Sequence, residues 1–232
     1  MKKTVSLAFA ATMSVLVTAC GGGSGSENLG SAQVDETIPT SNSQPVSLAR
    51  FTDATEGTIY STRLRGSDSA GTEFDGTLSL ANRAQITLEG VLVTPRDMIM
   101  SIDANGTSFT MTATSYEDGY GNLIQIDSQT TGVSCAPVTP DRLPDSVKVG
   151  DFGILSPMIC SDGTTQTRNW RIEEAGGDAI SLVTNTVTKD QYGETLSTAD
   201  ASYVIQRDGN LAGFTLSILE TDTGYSLHLE SI

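Results

Sequence analysis

The chain has 232 residues and an acidic composition, with 28 Asp and Glu against 13 Lys and Arg and a formal net charge of −15 at pH 7. A chain of this length forms one large domain or two small ones, and an all-β unit of about 180 residues can be a single domain. The arginines are scattered between acidic residues, whereas nucleic-acid binding needs a basic patch. The composition therefore argues against nucleic acid as a partner and against flat docking on acidic lipid.

Residues 1–19 have the pattern of a secretory signal peptide. Lys2 and Lys3 are followed by an apolar run over residues 5–17, and the small residues Thr18 and Ala19 come next. A membrane-spanning helix needs about 20 apolar residues, so this run is too short to serve as one. The start of the chain therefore predicts export across a membrane.

The four residues Val17-Thr18-Ala19-Cys20 resemble the lipobox of bacterial lipoproteins, although leucine is more usual at the first position. The resemblance implies cleavage before Cys20, a diacylglyceryl group on its sulfur and acylation of the new amino group. Each buried methylene contributes roughly 0.8 kcal/mol, so two or three acyl chains anchor a protein stably. Gly21 in the next position resembles the sorting pattern for the outer membrane of Gram-negative cells. We therefore expect a protein held by lipid at the outer membrane, on either of its faces.

Residues 20–45 are predicted to be a flexible linker behind the lipidated cysteine. Gly, Ser, Asn, Thr and acidic residues dominate there, and Leu29, Val34 and Ile38 are the large apolar side chains. Such a composition cannot support a core. About 25 residues of this coil would reach roughly 25 to 30 Å and hold the following domain clear of the lipid headgroups.

The chain has three cysteines. With Cys20 assigned to lipid, Cys135 and Cys160 are predicted to form one disulfide in an oxidising compartment. The bond would close a loop of about 25 residues and contribute roughly 3 kcal/mol. A pair of buried free thiols is the alternative. A zinc site is disfavoured because zinc takes four ligands and the chain has one histidine, and no cofactor is predicted.

Residues 46–232 form the predicted β domain, because polar and apolar side chains alternate with a period of two, as in strands with one wet and one buried face. Strands are predicted over residues 59–65, 73–80, 85–91, 98–102, 108–114, 123–127, 167–173, 180–188, 195–205, 212–218 and 225–230. The stretch from Val46 to Phe51 stays undecided between helix and strand, since six residues are too few for the periodicity to decide.

Turn dipeptides separate these strands, namely Asn105-Gly106, Asp118-Gly119, Asp162-Gly163, Asp208-Gly209 and Thr223-Gly224. Short connections between successive strands predict an antiparallel meander. About a dozen strands with one apolar face build either a barrel or a two-sheet sandwich. The connectivity favours the barrel slightly.

A faint internal repeat is also present. Thr112-x-Thr114 followed by Asp118-x-Tyr120-Gly121 recurs as Thr184-x-Thr186 followed by Asp190-x-Tyr192-Gly193. This pattern is compatible with two related β halves, residues 46–135 and 146–232, joined by a proline-containing segment over residues 134–150. Chance similarity between two turns that follow Thr-rich strands explains it equally well.

One loop stands out as a candidate ligand site, with Tyr116, Glu117, Asp118, Tyr120 and Asn122 within seven positions. Tyrosine rings stack on sugars, and carboxylates hold sugar hydroxyls or calcium. Calcium takes six to eight oxygens, however, and the usual calcium-loop pattern is absent from the sequence. An ordinary hairpin turn is the alternative, and no metal site is predicted.

The sequence carries no recognisable catalytic motif. His228 is the only histidine, and alternation places it on a wet face with Ser226 and Glu230, so it is expected to be exposed. Trp170 shares a face with Ile172 and is predicted to anchor the core, with a sugar platform as the alternative. The acidic residues are too numerous for the sequence to select a glycosidase pair.

Three hypotheses follow for function. The first is a lipid-anchored envelope protein with a non-catalytic β domain that has a structural role or binds another envelope component. The second is a surface module that binds glycan or calcium through the loop around Asp118. The third is a hydrolase with a carboxylate pair, which is the weakest because nothing in the sequence identifies the pair.

Overall fold

The computed structural model describes residues 45–48 and 56–232. The signal peptide, Cys20 and the linker up to residue 44 lie outside the described residues, as do residues 49–55. The regular structure of the described part consists of strands. Their bounds are β1 (Val46–Ser47), β2 (Gly57–Asp68), β3 (Glu73–Asn82), β4 (Ile86–Leu88), β5 (Val91–Ala104), β6 (Thr107–Asp118), β7 (Leu123–Ser128), β8 (Val133–Pro137), β9 (Ser146–Val147), β10 (Phe152–Cys160), β11 (Thr165–Glu174), β12 (Ile180–Lys189), β13 (Thr195–Ile205), β14 (Leu211–Glu220) and β15 (Ser226–Ser231).

Twelve of these strands form one closed antiparallel barrel. The order around it is β2, β3, β5, β6, β7, β8, β10, β11, β12, β13, β14 and β15, and β15 pairs with β2 to complete the circle. Strand β4 lies outside this circle and pairs with the first residues of β5. The predicted all-β meander is therefore confirmed, and it closes into a barrel.

The two ends of the barrel differ. We call the open end the one formed by the turns β2–β3, β5–β6, β7–β8, β10–β11, β12–β13 and β14–β15. We call the opposite end the sealed end. It carries the turns β6–β7, β11–β12 and β13–β14, and the connection from β8 to β10 passes across it. The chain enters β2 at the sealed end and leaves β15 in its direction.

Alternating side chains point into the barrel and form its core. Leu182 on β12, Ala201 on β13 and Leu229 on β15 are examples, and all three are fully buried. Trp170 is 9% exposed and packs in the same apolar cluster, which confirms it as a core residue. His228 is exposed on the outer face, as predicted, and its ring contacts the Ser217 hydroxyl.

A small two-stranded sheet of β1 and β9 fills the sealed end. Val46 pairs with Val147, and the Leu48 amide donates to the carbonyl of Asp145 at 2.9 Å. The side chains of Val46, Leu48, Leu143 and Val147 are all buried in the main core cluster. Barrels of about eight strands are filled by their own wall residues, whereas a wider barrel needs additional material. In this barrel, β1 and β9 supply the additional side chains at the sealed end. Val46–Ser47, part of the stretch from Val46 to Phe51 that the sequence left undecided between helix and strand, is a strand.

Two strand glycines allow close backbone approach in the barrel wall. A Cβ atom at Gly66 would lie 1.9 Å from the carbonyl oxygen of His228, and one at Gly76 would lie 2.2 Å from that of Ser101. Gly66 is on β2 and faces β15, and Gly76 is on β3 and faces β5. Glycine within a strand is typical of such close approaches and of barrel bends.

Two barrel strands were not predicted from the sequence, β8 and β10. Both contain proline, which cannot donate to a strand partner and argues against a central strand. The alternation of β10 is also interrupted by a register shift between Leu155 and Met158. The predicted connecting segment of residues 134–150 is correspondingly shorter, because its first residues belong to β8. A second register shift, between Val204 and Ile205, affects the start of β14. Alternation over residues 212–218 predicts Ala212 on the buried face with Phe214, whereas in the structure Ala212 is exposed and Phe214 is buried.

The two turns of the internal repeat share one local geometry. In each, the aspartate side chain accepts the backbone amides of the residues two and four positions later, at 2.8 and 2.9 Å. The Asp118 turn lies at the sealed end, however, and the Asp190 turn lies at the open end. The two stretches therefore do not occupy equivalent positions in the barrel, and their similarity reflects shared turn chemistry.

Candidate ligand-binding cavity at the open end

The structure separates the five residues of the candidate loop. Asp118 caps the turn, and its Oδ2 accepts the Asn122 side-chain amide at 2.9 Å. Tyr120 is 79% exposed at the tip of the turn. Tyr116 and Glu117 belong to strand β6 and are both buried, on opposite faces of the sheet. The structure thus brings Asp118 and Asn122 together, whereas the two tyrosines and Glu117 point to different places.

Glu117 is part of a buried polar group inside the barrel. Its Oε1 lies 3.4 Å from Nη1 of Arg96, and both side chains are nearly inaccessible to solvent. Arg96 in turn donates through Nε to Oδ1 of Asn82 at 3.0 Å. A buried ion pair of this kind is strongly destabilised when one partner is removed. Glu117 therefore has a structural role, as the ion-pair partner of Arg96 inside the barrel.

Tyr116 lies on the outer face among charged residues of neighbouring strands. Burial of the ring raises the pKa of the Tyr116 phenol, and the Asp127 carboxylate raises it further, while Arg83 opposes the effect. Arg83 also forms an ion pair with Asp97, with Nε and Oδ2 3.0 Å apart. Thr114 donates its hydroxyl to the same carboxylate at 2.6 Å. This cluster braces β5, β6 and β7 from outside.

Arg168 is the centre of a second polar group on the inner wall. Its side chain is 1% exposed, and its Nη2 donates to the carbonyl of Ser156 at 3.1 Å and lies 3.8 Å from Oδ1 of Asp141. Burial lowers the pKa of the Arg168 guanidinium to about 10, against the raising effect of Asp141. Thr186 is its direct cross-strand partner. This group ties the chain segment after β8 to the inner wall of the barrel.

The open end holds a cavity of about 1000 Å³. Its apolar lining comes from side chains on β3, β5, β6, β8 and β15, and from Tyr225 next to β15. These residues are Phe74, Ile102, Ala104, Phe109, Met111, Val133, Tyr225 and Leu227. Binding sites for small molecules are concave, mostly apolar and about 300 to 1000 Å³ in volume, so the cavity has the size and character of such a site.

Polar groups stand around the mouth of the cavity. They include the threonines Thr72, Thr107, Thr110, Thr130 and Thr131, together with Asn105, Ser108 and the carboxylates of Asp68 and Asp162. Asp68 accepts the amides of Ala70 and Thr72 through Oδ1, at 2.9 and 2.8 Å. Asp162 accepts the amide and hydroxyl of Thr164, also through Oδ1. Both carboxylates are thus positioned by their own turns.

Tyr225 links the apolar wall to this rim. Its hydroxyl donates to Oδ2 of Asp68 over 3.4 Å. Burial raises the pKa of the Tyr225 phenol to about 12, and the charges of Asp68 and Glu220 add to the effect. The phenol is therefore neutral at physiological pH and remains a hydrogen-bond donor.

The predicted disulfide is present between Cys135 on β8 and Cys160 on β10. The two cysteines are directly opposed in adjacent barrel strands. Val133 packs against their cluster and also lines the cavity, and Asp162 follows Cys160 by two residues. The disulfide therefore braces the part of the wall that carries these two cavity residues.

Residues 45–48 and 56–232 contain no group of three or more His, Cys, Asp or Glu side chains that could hold a metal ion. Over the same residues, no helix is long and apolar enough to cross a membrane. The single histidine, His228, is on the outer face of the wall and does not line the cavity.

Comparison with known proteins found no match for this chain among family models, curated proteins or solved structures.

The cavity residues were not among the binding residues predicted from the sequence. Their inward positions were recoverable from alternation, as for Leu227 between Ser226 and His228. Alternation does not show whether an inward side chain meets another side chain or open space. The strand count and the location of the segment that fills the barrel decide that, and both depend on long-range pairing.

Proposed function

We propose that this chain is a lipid-anchored protein of the cell envelope whose barrel is a non-catalytic binding domain for a small, largely apolar ligand. The observation that carries the binding role is the apolar cavity of about 1000 Å³ at the open end. The anchor is proposed from the signal peptide and the Cys20 motif, with the outer membrane as its location.

The contrast between the two barrel ends supports the binding role. At the sealed end, Val46, Leu48, Leu143 and Val147 fill the interior. At the open end, the cavity exposes apolar side chains whose burial by a ligand is favourable at roughly 25 cal/mol per Å² of apolar surface. A rigid wall stapled by a disulfide reduces the conformational cost of binding.

An environment-sensitive apolar dye, N-phenyl-1-naphthylamine, tests the binding role with the full chain carrying Cys20→Ala. We expect saturable fluorescence enhancement, and we expect Ala104→Trp to abolish it, because Ala104 lines the cavity and an indole would fill the space. Ala212→Trp is the matched control, since Ala212 is exposed on β14 near the sealed end. Equal dye binding by both Trp variants would refute the proposed cavity site.

Incorporation of labelled palmitate tests the anchor separately. Wild-type protein is expected to take up the label, and Cys20→Ala is expected to take up none and to remain an uncleaved precursor. Equal labelling of the two would contradict lipidation at Cys20. Protease treatment of intact cells then shows which face of the envelope carries the barrel.

A further inference from the structure

The open end of the barrel is strongly acidic. The six turns that form it, together with the two strand residues on either side of each turn, carry one basic side chain, Lys189. The acidic side chains there are Asp68, Glu73, Asp103, Asp127, Asp162, Asp190, Glu194, Glu220 and Asp222. Two of these carboxylates, Asp68 and Asp162, line the cavity itself. Charges of one sign around a low-dielectric cleft focus the field and raise the local concentration of oppositely charged ligands.

The lining below this rim is apolar and includes three aromatic rings, Phe74, Phe109 and Tyr225. Aromatic faces attract cations as well as apolar groups. The raised pKa of Tyr225 agrees with a negative potential at the rim. Burial is the largest cause of the raised pKa, and the charges of Asp68 and Glu220 raise it further. Among the residues that the structure describes, no Lys or Arg side chain lines the cavity, so an anionic head group would meet no partner charge from them.

We propose that the cavity binds amphiphiles with a positively charged head and an apolar tail, and discriminates against anionic amphiphiles with the same tail. The tail would occupy the apolar floor around Phe74, Met111 and Leu227, and the head would lie at the rim beside Asp68 and Asp162. This inference rests on the proposed binding function and adds the charge class of the ligand.

Three amphiphiles with one tail length provide the test, namely dodecyltrimethylammonium, dodecyl sulfate and dodecyl maltoside. Each is used below its micelle-forming concentration to displace N-phenyl-1-naphthylamine from the full chain carrying Cys20→Ala. We expect the cationic compound to displace the dye at a concentration at least about tenfold below that of the anionic one, with the neutral compound between them. Raising the salt from about 0.02 M to about 0.5 M should narrow the difference.

Variants that remove rim carboxylates test whether Asp68 and Asp162 cause the preference for the cationic compound. Asp68→Asn combined with Asp162→Asn should weaken displacement by dodecyltrimethylammonium several-fold, and should weaken displacement by dodecyl maltoside by a clearly smaller factor. Asparagine retains the acceptor oxygen that each turn uses, so the turns are preserved. Asp208→Asn is the matched control, because Asp208 caps a similar turn at the sealed end through its bond to the Asn210 amide at 3.0 Å.

The outcomes separate the two proposals. Equal displacement by the cationic and anionic compounds, or preference for dodecyl sulfate, overturns the charge selectivity and leaves the binding function standing. Dye binding that none of the three compounds reverses also overturns it. Absence of saturable dye binding overturns the proposed function itself.

Discussion

Gly66 and Gly76 set how closely neighbouring strands approach in the barrel wall. In Gly66→Ala, the new methyl group would lie 1.9 Å from a backbone oxygen of β15, and backbone atoms cannot rotate away. We expect a loss of roughly 1 to 3 kcal/mol in the free energy of unfolding, as in other overpacked sites. Urea denaturation measures it.

Gly119→Ala is the control for this substitution. A Cβ atom at Gly119 would meet nothing within 4 Å, and its φ is not in the left-handed region. Its effect should stay within about 0.5 kcal/mol. Equal stability of the Gly66 and Gly119 variants would show that the wall tolerates a side chain at position 66.

The Tyr225 phenol predicts a pH effect at alkaline pH. Its pKa is raised from 10.0 to about 12 in the folded protein, first by burial and then by Asp68. The unfolded chain therefore loses this proton first, so the stabilising contribution is complete below pH of about 10 and is lost as the pH rises towards about 12. Tyr225→Phe lacks this contribution and should show a smaller loss of stability over that interval.

Ultraviolet titration of tyrosinate checks the assignment directly. The difference between the wild-type and Tyr225→Phe curves should have its midpoint near pH 12. Asp68→Asn should lower the midpoint without returning it to 10.0, because burial is the larger cause. A difference curve centred near pH 10 would contradict the raised pKa.

At the level of elements, the short segment between β8 and β10 contributes buried side chains to the core, including Leu143 and Val147. Leu143→Ala should cost about 2 to 5 kcal/mol, because the side chain is fully buried at the sealed end and its removal leaves a cavity. Ser146→Ala, at an exposed position of β9, should change the free energy of unfolding by less than about 0.5 kcal/mol. A cost for Leu143→Ala as small as that of the control would mean that this segment does not support the core.

The disulfide between β8 and β10 makes a separate contribution. Replacing both Cys135 and Cys160 by Ala should lower the free energy of unfolding by about 3 kcal/mol, because the bond restricts a loop of 25 residues in the unfolded chain. Urea denaturation with and without dithiothreitol provides the measurement. The double variant should be insensitive to the reductant, and wild-type stability that is equally insensitive would argue against the bond.

Local sequence was sufficient for the strands that have one wet and one buried face and no interruption. Strand β13 was predicted with its observed bounds, and β12 to within one residue, because each alternates cleanly between turns. Strands β8 and β10 were missed because Pro137, Pro157 and a register shift break the pattern. Proline is tolerated in β8 and β10 next to that irregular pairing, which local sequence does not reveal.

At the scale of the whole molecule, the closed sheet predicts a single unfolding unit. Each barrel strand is paired on both sides, so neither predicted half, residues 46–135 or 146–232, has a sheet of its own. Urea unfolding followed by Trp170 fluorescence and by circular dichroism should give coincident transitions. Separate transitions would show that the segment around Trp170 unfolds independently of the rest.

The open cavity is a whole-molecule property for the same reason. Phe74 and Leu227 come together in its lining although more than half of the chain separates them. Nothing in the sequence near either residue shows that the barrel has twelve strands, or that the described residues fill its sealed end and leave a cavity at its open end. The sequence therefore predicts many of the strands that form the barrel wall. The cavity inside the wall depends on how the strands pair over long range to close the barrel.

The placement of the chain ends has a practical meaning for how the molecule is presented. The described chain enters through Val46 at the sealed end, and it leaves β15 towards that end at Ile232, whose amide donates to the carbonyl of Arg63 at 3.0 Å. A surface, bead or reporter protein joined directly before Val46 or directly after Ile232 would therefore be attached on the side away from the cavity. Immobilised at either of these two points, the barrel would present its mouth to the surrounding solution.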